Sequence, residues 1–170
     1  MVRFYPGCTG LKTGFTSGAG YCLSASAERE GMELVAVVMG CETSQKRTAA
    51  CKAMLDYGFA NYALVDPAPD GEGTVPVKLG KAAVVQAVPG EETQLLVEKN
   101  QLSLIRIQTT LEERVTAPVS RGQKLGTLTV YAGEQVLATI PMVAETAVDR
   151  LSFGEILVKV LRRICMVGDE

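Results

Sequence analysis

The sequence predicts an α+β chain: antiparallel sheet strands with one helix, then a small all-β, sandwich-like domain, then a C-terminal amphipathic helix. Three observations carry this. A Pro-, Gly- and acid-rich stretch at residues 66–73 separates two compositions, which places boundaries at 1–63, 64–147 and 148–170. Short β-leaning runs recur roughly every ten residues after it, the spacing of a small sandwich or barrel. The end of the chain carries its most regular apolar stripe at helical spacing.

Within 1–63, residues 7–20 are rich in Gly and Thr, and residues 21–27 and 32–39 read as strands flanking Glu30-Gly31, which suggests an antiparallel hairpin. The second strand is apolar at nearly every position, as expected of a central strand covered on both faces. Thr43 or Ser44 can cap a helix that runs to about Tyr57. Its expected buried face is Ala50, Ala53, Met54 and Tyr57, with Gly58 as a stop.

Within 64–147, the expected strands are 75–79, 82–88, 94–98, 102–108, 124–131 and 135–140, punctuated by Pro89-Gly90, Lys99-Asn100, Arg121-Gly122 and Ala132-Gly133. Alternation is clearest at Leu102 and Leu104, at Ile105 and Ile107, and at Leu128 and Val130. Within 148–170, Phe153, Ile156, Leu157, Val160, Leu161 and Ile164 share one face, while Glu155, Lys159, Arg162 and Arg163 take the other. Ser152 and Glu155 form a capping box at its start. Docking on its own domain is the plain reading of such a stripe. The terminal position and the basic opposite face favour a membrane-associating helix that lies flat on the surface.

Composition narrows the chemistry. Seventeen Lys and Arg against nineteen Asp and Glu leave a net charge of −2, so there is no electrostatic footprint for a nucleic acid. With no His, neither a Ser-His-Asp or Cys-His centre nor a His-ligated metal is possible within these residues. Cys8, Cys22, Cys41, Cys51 and Cys165 form no C-x-x-C pair and read mostly as reduced core residues; no metal and no cofactor is expected. Neither a signal peptide nor an apolar run of about 20 residues, the length of a spanning helix, is present.

One run carries chemistry: Gly10-Leu-Lys-Thr-Gly-Phe-Thr16. A P-loop needs Gly directly before its Lys, and position 11 is Leu. Lys-Thr-Gly also occurs on the edge strand of penicillin-recognising serine enzymes. The surrounding run, residues 4–27, closely resembles the third-motif region of low-molecular-mass D-alanyl-D-alanine carboxypeptidases of the penicillin-binding protein 5 type. Residues 31–40, Arg47 and residues 55–59 extend the likeness, and the order of β-rich segment and amphipathic helix is the family's own.

The resemblance implies a peptidoglycan stem peptide or a β-lactam as ligand of the full-length enzyme, the extracytoplasmic face of a bacterial membrane as location, and the membrane surface as partner of the last helix. It makes Lys12 the motif lysine that helps activate the nucleophile electrostatically. Thr13 donates to the carboxylate of the terminal D-alanine, and Gly14 lets the substrate backbone approach. Phe15 offers its main-chain N–H to the oxyanion hole. Thr16 lines the same groove and Arg47 adds a counter-charge for the carboxylate. The family's Ser-x-x-Lys and Ser-x-Asn are both absent, since Ser44-Gln-Lys-Arg47 ends in Arg and neither Asn61 nor Asn100 has Ser two places before it. The expectation is therefore a C-terminal piece of a longer enzyme, inactive alone, with a non-catalytic envelope-binding module as the alternative.

Overall fold

The computed structural model describes residues 5–67 and 73–164; of these, the side chains of Leu11 and of residues 162–164 lie outside the description, as does the expected helix end at Cys165. The chain divides into two compact units, Met1–Asp66 with Gln94–Ser103 and Pro67–Thr93 with Leu104–Glu170. Antiparallel sheets with a packed helix make it an α+β protein.

In the first unit, β1 (Cys8–Thr16), β2 (Gly20–Arg29) and β3 (Met32–Cys41) form an antiparallel sheet in the order β1-β2-β3. The β2–β3 connection turns at Glu30 and Gly31, with φ of 51° and 77°. Two successive left-handed residues are what a two-residue hairpin requires. Pairing of Leu23 with Val38, Ala25 with Ala36 and Ala27 with Leu34 sets one apolar face.

Helix α1 (Ser44–Asn61) lies on that face and buries Cys51, Leu55 and Phe59 at i, i+4 and i+8 against Leu23, Ala25, Ala27, Met32, Ala36 and Tyr5. The expected face is displaced: Ala53, Met54 and Tyr57 are exposed and Ala50 is half-buried. The sheet presents small alanines at its centre, and the bulky side chains of the Leu55 and Phe59 stripe fill the space above them. Gly58 does not stop the helix either. A Cβ there would stand 2.5 Å from Leu34 Cδ1, so the glycine permits close approach of α1 to β3. The helix ends instead at Tyr62, whose N–H donates to Gly58 O.

β3 also differs from its expected central, doubly covered place. Among the described residues it has one neighbour, β2, and Val35, Val37 and Met39 are 60%, 53% and 77% exposed. Helix α1 covers only the side that carries Leu34, Ala36 and Val38.

The entry to β1 is fixed by a cluster around Arg29. Its guanidinium stacks over the rings of Tyr5 (4.7 Å) and Phe59 (4.5 Å), and Nε donates to Pro6 O at 3.3 Å. Tyr5 Oη donates to Asp56 Oδ1 at 2.7 Å. Gly7 follows with φ of 76°, a conformation only glycine takes cheaply.

β4 (Tyr62–Val65) pairs antiparallel with β7 (Leu95–Glu98), so the strand at 94–98 joins the first unit rather than its sequence neighbours. The 3-10 helix Lys99–Leu104 follows, where a strand from Leu102 was expected, and Lys99 Nζ donates to Phe59 O at 2.8 Å. The second unit is one six-stranded sheet in the order β8-β10-β11-β6-β5-β9, built from β5 (Gly73–Lys78), β6 (Val84–Pro89), β8 (Ile105–Leu111), β9 (Val115–Thr116), β10 (Lys124–Ala132) and β11 (Gln135–Ala144). Val75, Val85, Leu125, Leu128, Val130 and Met142 lie in its core, and among the described residues only β5 with β9 runs parallel. Helix α2 (Phe153–Ile164) closes the described chain. Ser152 N–H and Oγ donate to Glu155 Oε2, both at 2.6 Å, which is the capping-box arrangement.

Burial first, and the Asp56 hydrogen bond second, push the Tyr5 phenol up to about 12. An unfolded tyrosine titrates near 10, so the folded state binds the proton more tightly in between. The contribution is complete below about pH 10 and is lost as pH rises from about 10 to about 12. Urea unfolding should show a stability loss in that window which Tyr5→Phe removes, at a cost near neutral pH of about 1 kcal/mol for the lost hydrogen bond. An identical alkaline slope in the variant would refute the assignment.

Candidate active-site strand

β1 is an edge strand, and Lys12, Thr13, Gly14, Phe15 and Thr16 lie exposed along it. The register pairs Lys12 with Ser24, Thr13 with Leu23, Gly14 with Cys22, Phe15 with Tyr21 and Thr16 with Gly20. Alternation across the pleat sends the Lys12 side chain to one face and those of Thr13 and Phe15 to the other. A ligand along the strand's edge can meet both sets. Among the described residues Lys12 has no hydrogen-bond or ion-pair partner, which leaves its ammonium free for such a ligand.

The turn after β1 is organised by Thr16, whose Oγ1 accepts from Ala19 N–H at 2.9 Å. Its hydroxyl therefore shapes the β1–β2 turn as well as lying beside the expected groove. The turn sets Phe15 opposite Tyr21, and their rings meet at a tilt of 40° with centroids 4.4 Å apart. Sequence reasoning missed Tyr21. Counting outward from the turn would have found it, because a hairpin places equidistant residues opposite each other.

Arg47 comes from the first turn of α1. Thr43 caps that turn: its Oγ1 accepts from Lys46 N–H at 3.1 Å and its carbonyl accepts from Arg47 N–H at 3.2 Å. So placed, Arg47 Nη1 donates to Gly14 O at 3.0 Å and to Cys22 O at 3.1 Å, bridging two directly paired residues. The guanidinium carbon lies 5.5 Å from the centre of the Tyr21 ring. Arg47 Nε is buried and has no partner among the described residues. Hydrogen bonds from a charged donor contribute about 1.5–3 kcal/mol and a partly exposed cation–π contact about 0.5–1 kcal/mol, so the carbonyl bridge dominates. The structure thus brings Arg47, Gly14, Phe15 and Tyr21 together. A cavity of about 250 Å³ elsewhere in the first unit is lined by Arg29, Met32, Phe59, Tyr62, Leu64 and Lys99 and includes none of the β1 residues.

On α2, Phe153, Leu157, Val160 and Leu161 are exposed and Ile156 is half-buried, with Phe153 82% exposed. Ile164 belongs to the helix, but its side chain is among those outside the description.

Comparison with known proteins agrees with this layout. The family described as D-alanyl-D-alanine carboxypeptidase matches residues 1–43, and that described as penicillin-binding protein 5, C-terminal domain, matches residues 62–150. The D-alanyl-D-alanine carboxypeptidase DacF of Bacillus subtilis is 34% identical over 90% of this chain and 40% of its own length. DacC of Escherichia coli, another D-alanyl-D-alanine carboxypeptidase, is 33% identical over 85% of this chain and 37% of its own. The crystal structure of penicillin binding protein 5 from Haemophilus influenzae superposes with a TM-score of 0.67 at 28% identity, covering 85% of this chain and 43% of that one. The chain spans about two fifths of the length of the relatives it matches.

The cap is the sequence feature that aims Arg47. Thr43→Ala should destabilise the first unit by about 0.5–2 kcal/mol, read as a lower urea midpoint in circular dichroism at 222 nm. An unchanged midpoint would show that α1 does not depend on this cap.

Proposed function

The chain belongs to the penicillin-binding protein 5 type of D-alanyl-D-alanine carboxypeptidases, and we propose that it forms the C-terminal part of a serine-type enzyme that trims the terminal D-alanine from peptidoglycan stem peptides. The observation that carries this reading is Lys12-Thr13-Gly14 exposed on an edge strand, within a stretch where both sequence and fold resemble that family.

The chemistry follows from what such a strand can offer. A serine Oγ, supplied from outside these 170 residues, attacks the carbonyl carbon of the penultimate D-alanine. An acyl–oxygen bond forms, the C–N bond breaks, and D-alanine leaves with a proton on its amine; water then hydrolyses the ester. Lys12 lowers the cost of negative charge at the nucleophile. Thr13 donates to the substrate carboxylate, Gly14 admits the substrate backbone, and Phe15 N–H meets the charge that appears on the tetrahedral oxygen. Thr16 bounds the same groove. A β-lactam is attacked at its ring amide in the same way. With neither Ser-x-x-Lys nor Ser-x-Asn, these residues alone form no acyl-enzyme.

The bare side of the sheet supports the same reading. Val35, Val37 and Met39 are large apolar residues exposed on a strand that has one neighbour among the described residues, an open edge and face on which further chain can pack. We assign that cover to the remainder of the family's catalytic domain. Helix α2 is read as a surface anchor at the extracytoplasmic face of the membrane, with Lys159 toward anionic head groups; the side chains of Arg162 and Arg163, expected to join it, lie outside the described residues. Its twelve residues span only ~18 Å against a bilayer core of ~30 Å, and among the described residues no helix is long and apolar enough to cross. The absent nucleophile favours a second reading, a non-catalytic envelope-binding module that keeps part of the fold.

Joining the chain in frame behind the upstream part of the Bacillus subtilis relative separates the two readings. The joined enzyme should release D-alanine from a D-alanyl-D-alanine peptide, and Lys12→Ala should lower turnover by about 10² or more, the effect of removing a preorganised charge. The unjoined chain should release none and take no covalent label from a fluorescent penicillin. A folded but inactive joined protein, or a labelled unjoined chain, would overturn the enzymatic reading.

Vesicle co-sedimentation tests the anchor. Binding to anionic lipid should weaken with salt without vanishing, since each basic residue adds only about 1 kcal/mol to the apolar contribution. Removal of residues 149–170 should abolish it. Retained binding after removal would contradict the anchor.

A further inference from the structure

We propose that Arg47 is a positioning residue, one that clamps the β1–β2 pair at Gly14 and thereby holds the Thr13 hydroxyl and the Phe15 main-chain N–H for acyl transfer. This rests on the carboxypeptidase reading but assigns Arg47 a different task from a counter-charge for the substrate carboxylate.

The case is made by counting donors. A two-point arginine–carboxylate contact needs two guanidinium nitrogens on the same side, either both terminal nitrogens or Nε with one of them. Nη1 carries two hydrogens, and its two bonds go to Gly14 O and Cys22 O, at 3.0 and 3.1 Å. Nε is buried, without a partner among the described residues, and so does not face an incoming ligand. Only Nη2 remains. Neither two-point geometry is open to Arg47 unless it releases the strands, whereas the carbonyl bridge is already made.

The bridge acts where position matters. Gly14 and Cys22 are directly paired, and Gly14 stands between Thr13 and Phe15, so fixing its carbonyl constrains the peptide units on both sides. The next pair outward, Phe15 with Tyr21, is held by a tilted ring contact, and the Arg47 guanidinium lies over the Tyr21 ring. Contacts from Arg47 to Tyr21 and from Tyr21 to Phe15 therefore tie the end of an edge strand to the first turn of α1. An edge strand has a neighbour on one side only, and displacement by about 1 Å is enough to lower a rate by about 10².

The test compares Arg47→Met and Arg47→Lys in the joined enzyme on two acyl donors: a D-alanyl-D-alanine peptide and a thioester of the same acyl group that has no terminal carboxylate. A clamp predicts that Arg47→Met lowers kcat by about 10- to 100-fold on both donors, with KM for the peptide nearly unchanged. Arg47→Lys should recover part of the loss, because one ammonium can donate to both carbonyls. A loss confined to the carboxylate-bearing donor and expressed in KM would overturn the clamp. Amide hydrogen exchange on the 170-residue chain itself supplies the second readout. In Arg47→Met, residues 12–16 and 20–24 should exchange at least about tenfold faster while residues 125–130 in the second unit keep their rates. Unchanged exchange at 12–16 would overturn the clamp. If the unmutated joined enzyme is inactive, the carboxypeptidase reading fails, and the exchange measurement still decides what Arg47 does.

Discussion

The packing of α1 on one face of a three-stranded sheet is the constraint from which the rest of the first unit follows. Cys51, Leu55 and Phe59 reach into a surface of small residues around Ala25 and Ala36, and burial of the larger side chains contributes roughly 1.5–3 kcal/mol each before ordering costs. Contact this close demands Gly58 beneath Leu34. It also fixes the rotation of the helix. With the Cys51–Leu55–Phe59 stripe turned inward, Arg47 one turn earlier points across the sheet to β1 and β2, and Asp56 comes within reach of Tyr5 and Arg29. The two ends of β1 are thus held by one helix.

Local signals in the sequence were legible where one or two residues decide the outcome. Glu30-Gly31 specifies its hairpin through two left-handed positions, Thr43 caps α1, and Ser152 with Glu155 starts α2. What could not be read depended on neighbours remote in sequence. Two overlapping apolar stripes on α1 are equivalent until the sheet's alanines select the one with Leu55 and Phe59. Gly58 looks like a stop until Leu34 is placed against it. The run 94–98 has the same strand character as its neighbours in sequence, and only its pairing with β4 draws it to the first unit. The order of Lys12, Thr13 and Gly14 is distinctive enough to single them out as candidates, while the commitment of Arg47 Nη1 to two carbonyls has no sequence signature.

The apolar character of β3 ties fold to function. Its sequence is that of a strand covered on both faces, and α1 supplies one cover. The candidate strand β1 lies at the opposite edge of the same sheet, and Lys12 is left without a partner among the described residues. Both features are what the proposed carboxypeptidase reading calls for. The second unit has its own core, and α2 presents a capped amphipathic helix beyond it.

The most direct test of this account is amide hydrogen exchange along β3, measured in the isolated chain and in the enzyme joined to the upstream part of its Bacillus subtilis relative. The account predicts that the amides of residues 33–39 that do not pair with β2 exchange rapidly in the isolated chain and become protected in the joined enzyme, because in the proposed reading the upstream part packs on that edge and on the Val35–Val37–Met39 face. Exchange that is equally slow in both, or equally fast in both, would contradict it.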